Sequence, residues 1–272
     1  MNLINFAEKY NVRMKRTRIS LLLFPLSAIV LLCACTSHYK VTGISQQRIV
    51  VDNRYDKQPD QQAATFLAPY KQRVDSVMGP VMGVAACDMV AERPESKLSN
   101  LLADIMIWAA PKYQEQPVFS VYNVGGIRAA LSKGEVTYGD VLDVAPFENK
   151  ICFLTLQGDK VLELFQQIAR RGGEGVSHGV NLVISTDGKL LSARLHGKEI
   201  DPTENYRVTT IDYLAQGNDQ LEAFKSHTDL NSPKEDNNNV RFIIMDYFRE
   251  MQAKGKKVDA QVEGRIVLRT TP

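Results

Sequence analysis

A glycine-rich segment in the middle of the chain carries side chains that could bind a small ligand. Residues 123–128 read Asn-Val-Gly-Gly-Ile-Arg and follow the apolar run 118–122, which predicts a buried strand. The glycines allow a ligand to approach the backbone closely, and the guanidinium of Arg128 suits the bidentate geometry of a phosphate. A plain turn after a strand has the same composition, so both interpretations stay open for this segment alone.

Two later segments add aromatic, amide and carboxylate side chains. Residues 145–149 read Ala-Pro-Phe-Glu-Asn, and residues 211–219 read Ile-Asp-Tyr-Leu-Ala-Gln-Gly-Asn-Asp. In this order and spacing, the three segments resemble the signature of the 5'-nucleotidase C-terminal domain. That signature is a glycine-rich turn ending in Ile-Arg, then Pro-Phe with Asn two residues later, then an aromatic residue before a Gly-Gly-Asp turn. The resemblance extends from about Arg93 to Leu268.

The resemblance implies a pocket for a nucleotide or nucleoside. Its predicted substrate-binding residues are Asn123, Gly125, Gly126, Arg128, Phe147, Asn149, Tyr213, Asp219 and Arg93. It implies that the two aromatic rings stack on the base, Asn123 touches the base edge, Asp219 binds the ribose hydroxyls and Arg128 lies on the phosphate side. Stacking on an aromatic ring contributes about 1–3 kcal/mol per base and tolerates many bases.

Each of these residues also has a purely structural interpretation. Phe147 could fill the core, Tyr213 could end a strand, and Asp219 could form a turn beside Gly217. Arg93 is the candidate for an arginine that the family places before a helix, and its register is open.

The late turn departs from the family pattern. Asn218 stands where the family usually has a second glycine, and Tyr213 stands where Phe is commoner. Asn is one of the residues that tolerate positive φ, so we expect Asn218 to take the glycine conformation while the edge of the pocket changes.

In the complete enzymes of this family, the resemblance implies a two-metal centre on a separate N-terminal domain. Two metal ions about 3.5–4 Å apart stabilise the attacking and leaving oxygens. The four histidines of this chain are scattered singly, at His38, His178, His196 and His227. We therefore expect no metal or other cofactor in this chain and no catalysis by it alone, with divalent metals on a partner. His178 and His196 are expected at the surface.

The N-terminus predicts an export signal. Lys15, Arg16 and Arg18 precede an apolar run of 14 residues, 19–32, whereas a membrane-spanning helix needs roughly 20. The following Leu-Cys-Ala-Cys, residues 32–35, resembles the lipobox of bacterial lipoproteins, which predicts lipidation of Cys35 and export to the periplasmic or cell-surface side of a bacterial membrane. An ordinary cleaved signal with two incidental cysteines is the alternative. Translation from Met14 would give a signal of normal length.

Composition excludes a nucleic-acid partner. Residues 1–34 hold five of the 33 basic and one of the 31 acidic residues, so 28 basic and 30 acidic residues remain, a formal charge of −2. No cluster of basic residues indicates nucleic-acid binding; the run 254–257 is expected to be the solvated end of a helix. Cys87 and Cys152 are expected to be buried free thiols.

The pattern of elements predicts an α+β domain with a mixed sheet and flanking helices. Helices are expected over 63–78, 99–110, 160–170 and 240–253, and strands over 81–90, 118–122, 151–156, 180–185, 190–195, 206–211 and 265–268. Gly172 and Gly173 predict the end of the third helix. The predicted organisation is a signal over 1–34, a tether over 35–62 and the domain over 63–272, of which 63–78 is the first core helix.

Two functions from different classes follow. The first is the substrate-binding half of a split 5'-nucleotidase that works with a separate metallophosphatase. The alternative is a non-catalytic surface lipoprotein that binds nucleotides, or a scaffold whose pocket has decayed.

Overall fold

A computed structural model describes residues 40–54 and 60–270 of the chain. The predicted signal and Cys35 lie outside the described residues. The chain divides into two units, 1–59 and 60–272. Residues 40–54 form no helix or strand. Within the described ranges, no helix is both long and apolar enough to cross a membrane.

The larger unit is built around a five-stranded mixed sheet. Its strands are β2 (Phe119–Tyr122), β4 (Ile151–Gln157), β5 (Gly175–Val176), β9 (Asn205–Ile211) and β10 (Thr228–Asn231), in the order β10-β4-β9-β2-β5. Strand β2 runs parallel to β9, and the other neighbouring pairs are antiparallel. All four residues of β2 are buried, which is why that strand reads as continuously apolar apart from Ser120.

Two smaller sheets complete the strand structure. A four-stranded sheet has the order β11-β6-β7-β8, formed by β6 (Val180–Ser185), β7 (Leu190–Leu195), β8 (Lys198–Glu199) and β11 (Ile266–Arg269). Strands β1 (Val81–Ala85) and β3 (Gly134–Thr137) pair antiparallel. The mixture of parallel and antiparallel pairs confirms the predicted α+β class.

Within the described residues, six helices accompany the sheets, and the longer ones apart from the first pack an apolar face on this framework. They are α1 (Gln61–Met78), α2 (Lys97–Ala109), α3 (Tyr138–Val144), α4 (Gly158–Arg170), α5 (Asp212–Ala215) and α6 (Val240–Ala253). Helix α4 buries Val161, Leu164, Phe165 and Ile168 at helical spacing. The predicted end of α4 is confirmed, because Gly172 and Gly173 have φ values of 78° and 113° and bond back to the last turn.

Several predictions of elements need correction. The first predicted core helix is present, but none of its residues is buried, because it contacts the domain mainly near its C-terminal end, at α3. The predicted strand 81–90 ends at Ala85. Beyond it, an isolated bridge between Met89 and Leu131 continues the pairing. The predicted helix 99–110 ends at Ala109, just before Pro111, and a 3₁₀ helix, Ala110–Tyr113, follows it directly.

Candidate functional site

The sheet topology brings the three sequence segments together. Strands β2 and β9 are parallel neighbours, so their carboxyl ends, at Tyr122 and Ile211, lie at the same edge of the sheet. Strand β4 is antiparallel to β9, with Ile151 opposite Ile211, so the segment that precedes β4 reaches the same edge. Three segments that are far apart in sequence therefore meet there.

A cavity of about 230 Å³ lies at this edge. It is lined by Asn123, Gly125, Gly126, Phe147, Asn149, Arg171, Tyr213 and Asp219. The aromatic side chains of the site are not part of the core, since Phe147 is 49% exposed and Tyr213 is 37% exposed. The structure thus brings together seven of the nine residues that the sequence suggested.

Backbone contacts fix the two aromatic residues relative to each other. The Asp212 carboxylate accepts hydrogen bonds from the backbone N–H groups of Lys150, at 3.0 Å, and Tyr213, at 2.9 Å. Arg241, at the start of α6, donates to the carbonyl of Pro146 at 3.0 Å. The Asp212 bonds tie the segment before β4 to α5, and the Arg241 bond ties it to α6, so both rings are carried by segments anchored at the sheet edge.

Asp219 is the polar centre of the cavity. Its carboxylate accepts from the Asn123 amide at 2.8 Å and from the Tyr213 hydroxyl at 3.1 Å. Desolvation and then the hydrogen bond to Asp219 raise the pKa of Tyr213, so its hydroxyl stays protonated and donates at neutral pH. A carboxylate offers about four acceptor sites, so two donors leave acceptor capacity for a ligand.

Asn123 carries a buried acceptor without a partner. The residue is 4% exposed, and its Oδ1 makes no hydrogen bond within the described part of the chain. Gly126 lies against this side chain, since a Cβ at that position would come within 2.6 Å of the same oxygen. Since buried acceptors are rarely left unsatisfied, this oxygen has acceptor capacity that a water molecule or a ligand donor can satisfy.

Two predicted site residues do not line the cavity. Arg128 is exposed, and its Nη1 lies 3.3 Å from the Gly125 carbonyl oxygen, at the rim. Arg93 donates to Glu174 at 2.6 Å and to the Gly173 carbonyl at 2.8 Å. A basic residue that the sequence did not suggest, Arg171, takes a place in the wall.

Arg171 gave no signal in the sequence. It follows the last residue of α4 and precedes two glycines, and a basic residue there is what any helix end favours. Its Nε donates to Glu174 Oε1 at 2.5 Å, and its Nη2 lies 3.6 Å from Asp219 Oδ2.

The late turn differs from the sequence expectation. Positive φ falls on Gly217, Asp219 and Gln220, at 79°, 56° and 61°, and Asn218 does not adopt it. Asn218 instead donates its side-chain amide to the Tyr213 carbonyl at 2.8 Å. The expectation that Asn218 replaces a left-handed glycine was wrong, and the aspartate itself takes the left-handed conformation.

No group of three or more His, Cys, Asp or Glu side chains within residues 40–54 and 60–270 is arranged to hold a metal ion. His178 and His196 are exposed, as predicted. Cys152 is buried, but Cys87 is only half-buried, so that half of the thiol prediction was wrong. The Cys87 Sγ lies 3.3 Å from Asp259 and 3.4 Å from the Lys97 Nζ, at the end of β1 and away from the cavity.

Comparison with known proteins gives several relatives that match this chain over part of their own length. The chain is 24% identical over 211 residues to Protein UshA of Yersinia enterocolitica, covering 74% of this chain and 36% of that protein. It is 32% identical over 165 residues to Endonuclease YhcR of Bacillus subtilis, covering 58% of this chain and 13% of that one. The structure of a 5'-nucleotidase precursor from Thermus thermophilus matches with a TM-score of 0.67 at 27% identity, over 79% of this chain and 44% of that chain.

The chain thus spans about a third of UshA and less than half of the Thermus protein. The family model described as the 5'-nucleotidase C-terminal domain matches residues 79–226, more than half of the 272 residues. That match includes the glycine-rich turn, both aromatic residues and Asp219. The chain therefore belongs to the 5'-nucleotidase C-terminal domain family.

Proposed function

We propose that this chain binds a nucleotide or nucleoside in the cavity at the sheet edge and is the substrate-binding half of a split 5'-nucleotidase. The observation that carries the proposal is the pair of half-exposed aromatic residues beside one cavity, with Asn123 and Asp219 at its polar edge. Half-exposed rings held by backbone contacts are suited to stacking on a base.

Each polar group has a role that its chemistry supports. The orphaned Asn123 oxygen accepts from an amino or imino group at the base edge. Asp219 accepts from the ribose hydroxyls with the acceptor capacity that its present donors leave. Arg128 lies at the rim, where a phosphate would project from the cavity. A cavity of about 230 Å³ is smaller than the roughly 300–1,000 Å³ of enclosed ligand pockets, so the phosphate would remain outside it.

The chemistry of phosphate release is proposed for a second polypeptide. That polypeptide would be a metallophosphatase carrying the divalent metals, and the two chains would meet over the bound nucleotide. The names of relatives such as the Thermus 5'-nucleotidase precursor support this reaction class. Attachment to a bacterial membrane through Cys35, on the exported side, is a further part of the proposal and rests on the sequence of residues 15–35.

A complementation assay tests the division of labour. The protein is incubated with AMP and divalent metal ions, first alone and then with a secreted metallophosphatase encoded beside it that lacks a nucleotide-binding half of its own. The proposal expects phosphate release above background only from the mixture, and its loss when Phe147 and Tyr213 are both replaced by Ala. Turnover by this chain alone that survives re-purification contradicts the split. Binding of AMP without any effect on a partner favours the non-catalytic binding lipoprotein.

A further inference from the structure

A fully buried carboxylate lies directly behind the wall of the cavity. Glu174 follows the two glycines that end α4 and precedes β5, and its side chain has no exposed surface. The chain approaches closely here, since a Cβ at Gly173 would lie 2.3 Å from the Pro94 carbonyl oxygen. A buried charge is costly unless it is paired and hydrogen-bonded, so the partners of Glu174 indicate its purpose.

Those partners come from three parts of the site. Glu174 Oε2 accepts from the backbone N–H of Val124, in the glycine-rich turn, at 2.6 Å. Glu174 Oε1 accepts from Arg93 at 2.6 Å and from the Nε of Arg171 at 2.5 Å. One carboxylate therefore holds the ligand-facing turn, the cavity wall and the arginine behind it.

Two carboxylates compete for the guanidinium of Arg171. Glu174 holds its Nε at hydrogen-bond distance, whereas the Nη2 lies 3.6 Å from Asp219 Oδ2, beyond a normal hydrogen bond. Arg171 is 18% exposed and Asp219 is 21% exposed, and at 3.6 Å the two form an ion pair without a direct hydrogen bond. A direct bidentate contact with Arg171 would occupy the acceptor sites of Asp219.

We propose that Glu174 is a positioning residue that holds Arg171 away from Asp219 and so keeps the Asp219 carboxylate available to ligand hydroxyls. Arg171 is then a specificity-determining residue of the cavity. The position of its guanidinium relative to Asp219 decides whether the site distinguishes a ribose from a deoxyribose. This inference rests on the proposed function, and it adds a residue pair outside the motifs of the sequence.

The test compares adenosine with 2'-deoxyadenosine. In the variant Glu174→Gln the side chain keeps its volume but loses its charge, so Arg171 turns to Asp219. Adenosine affinity should fall about tenfold, as expected for a lost hydrogen bond to a charged group. Deoxyadenosine affinity should fall less, so the ratio of the two dissociation constants approaches one. Arg170→Gln, one residue earlier and exposed, is the matched control and should leave the ratio unchanged.

A second variant separates positioning from simple damage to the fold. Glu174→Gln combined with Arg171→Gln removes the competing cation, so discrimination against deoxyadenosine should return. A folded single variant with the parental ratio, or a folded double variant without restored discrimination, overturns the inference. If Glu174→Gln does not fold, the single variant Arg171→Gln tests the inference. Without Arg171, Asp219 should still distinguish adenosine from 2'-deoxyadenosine, and loss of that discrimination contradicts the role given to Arg171.

A crystal structure of Glu174→Gln gives a readout that needs no ligand. We expect the Arg171 Nη2 to move to hydrogen-bond distance from Asp219, and retention of the present 3.6 Å separation would refute the inference. A parent protein that binds neither nucleoside refutes the proposed function instead, so the two failures are distinguishable.

Discussion

The exposure of Phe147 and Tyr213 is the reason for proposing that they bind a ligand. Both lie in segments that, read alone, are compatible with core packing, yet they are 49% and 37% exposed beside a cavity. An aromatic ring held half-exposed by backbone contacts leaves apolar surface in contact with water. A stacked base removes that surface from solvent, which is the physical reason for assigning both rings to ligand binding.

Replacing either ring tests the stacking directly. Phe147→Ala and Tyr213→Ala should each weaken AMP binding by about 1–3 kcal/mol, roughly 5- to 150-fold, because one face of the base loses its partner. Tyr213→Phe keeps the ring and loses only the bond to Asp219, so it should weaken binding less than Tyr213→Ala. Equilibrium dialysis with labelled AMP measures all three. Equal losses for the two Tyr213 variants would show that the hydroxyl, and not the ring, binds.

Asp219 should discriminate between sugars. In Asp219→Asn the amide accepts more weakly than the carboxylate, so adenosine should lose more affinity than 2'-deoxyadenosine. Competition of each nucleoside against labelled AMP gives the comparison. A variant that weakens both nucleosides by the same factor would place the ribose elsewhere.

Cys152 provides a residue-scale test of the core. Burial raises the pKa of its thiol to about 12, so the reactive thiolate is scarce at neutral pH and the sulfur is inaccessible. Alkylation of the native protein with iodoacetamide should therefore modify Cys87 well before Cys152, and denaturant should remove the difference. Peptide mass spectrometry locates the label. Labelling of Cys152 in the native protein at the rate seen in denaturant would contradict its buried position.

The sequence motifs predicted the residues that line the cavity better than the residues that hold them in place. Asn123, Phe147, Tyr213 and Asp219 lie in three short segments whose order and spacing resemble the family signature, although each segment alone could be a plain turn. Arg171 and Glu174 were missed because a basic residue before glycines looks like a helix end, and an isolated glutamate predicts a solvated position. Their role depends on a buried contact between distant segments, which no local pattern contains.

At the scale of elements, the spacing of apolar residues along the sequence predicted the long helices and the central strands well. Helix α6 and strand β6 begin and end where apolar spacing indicated, since each presents an apolar face to the core. Strand β7 also has its predicted bounds, although only Leu195 of it is buried. Strands β3, β5, β8 and β10 were missed because two to four residues show no period, and those strands are defined by their partners. The apolar face of α1, with Phe66 and Tyr70, predicted burial that the described residues do not provide.

An ion pair joins the strands that carry the site. Arg207 on β9 donates to both oxygens of Glu115 at 2.7 and 2.6 Å, and Asn231 of β10 donates to Glu115 at 2.8 Å. Glu115 precedes β2, so this cluster links the segment before β2 to β9 and β10. The hydrogen bond from Arg207 lowers the pKa of Glu115 below its usual value.

The lowered pKa makes a prediction about stability and pH. A carboxyl whose pKa is depressed by folding stabilises the folded state above its unfolded pKa, and that contribution is lost as the pH falls through the folded pKa. Glu115→Gln should cost about 1–3 kcal/mol of unfolding free energy at neutral pH. The difference from the parent should shrink as the pH falls below about 4.3, the ordinary glutamate value. Urea unfolding at stepped pH measures it, and a difference that grows in acid would contradict the assignment.

At the scale of the whole molecule, the proposed split divides binding and catalysis between two polypeptides. The chain spans about a third of UshA, and its cavity lies at a sheet edge where three segments converge in the open. The proposed partner would cover that edge and bring metal ions to the phosphate. In this proposal, this chain binds the nucleotide, and the two polypeptides together release the phosphate.

Calorimetric titration of AMP into the protein tests whether the cavity at the sheet edge binds a nucleotide. The comparison is with the double variant Phe147→Ala/Tyr213→Ala and with a matched control, Phe66→Ala/Tyr70→Ala, which removes an exposed Phe and Tyr in ring contact on α1. We expect saturable binding by the parent and the control, and none measurable by the cavity variant, which should remain folded by circular dichroism. A parent that does not bind AMP at millimolar concentration, or a cavity variant that binds like the control, would contradict this expectation.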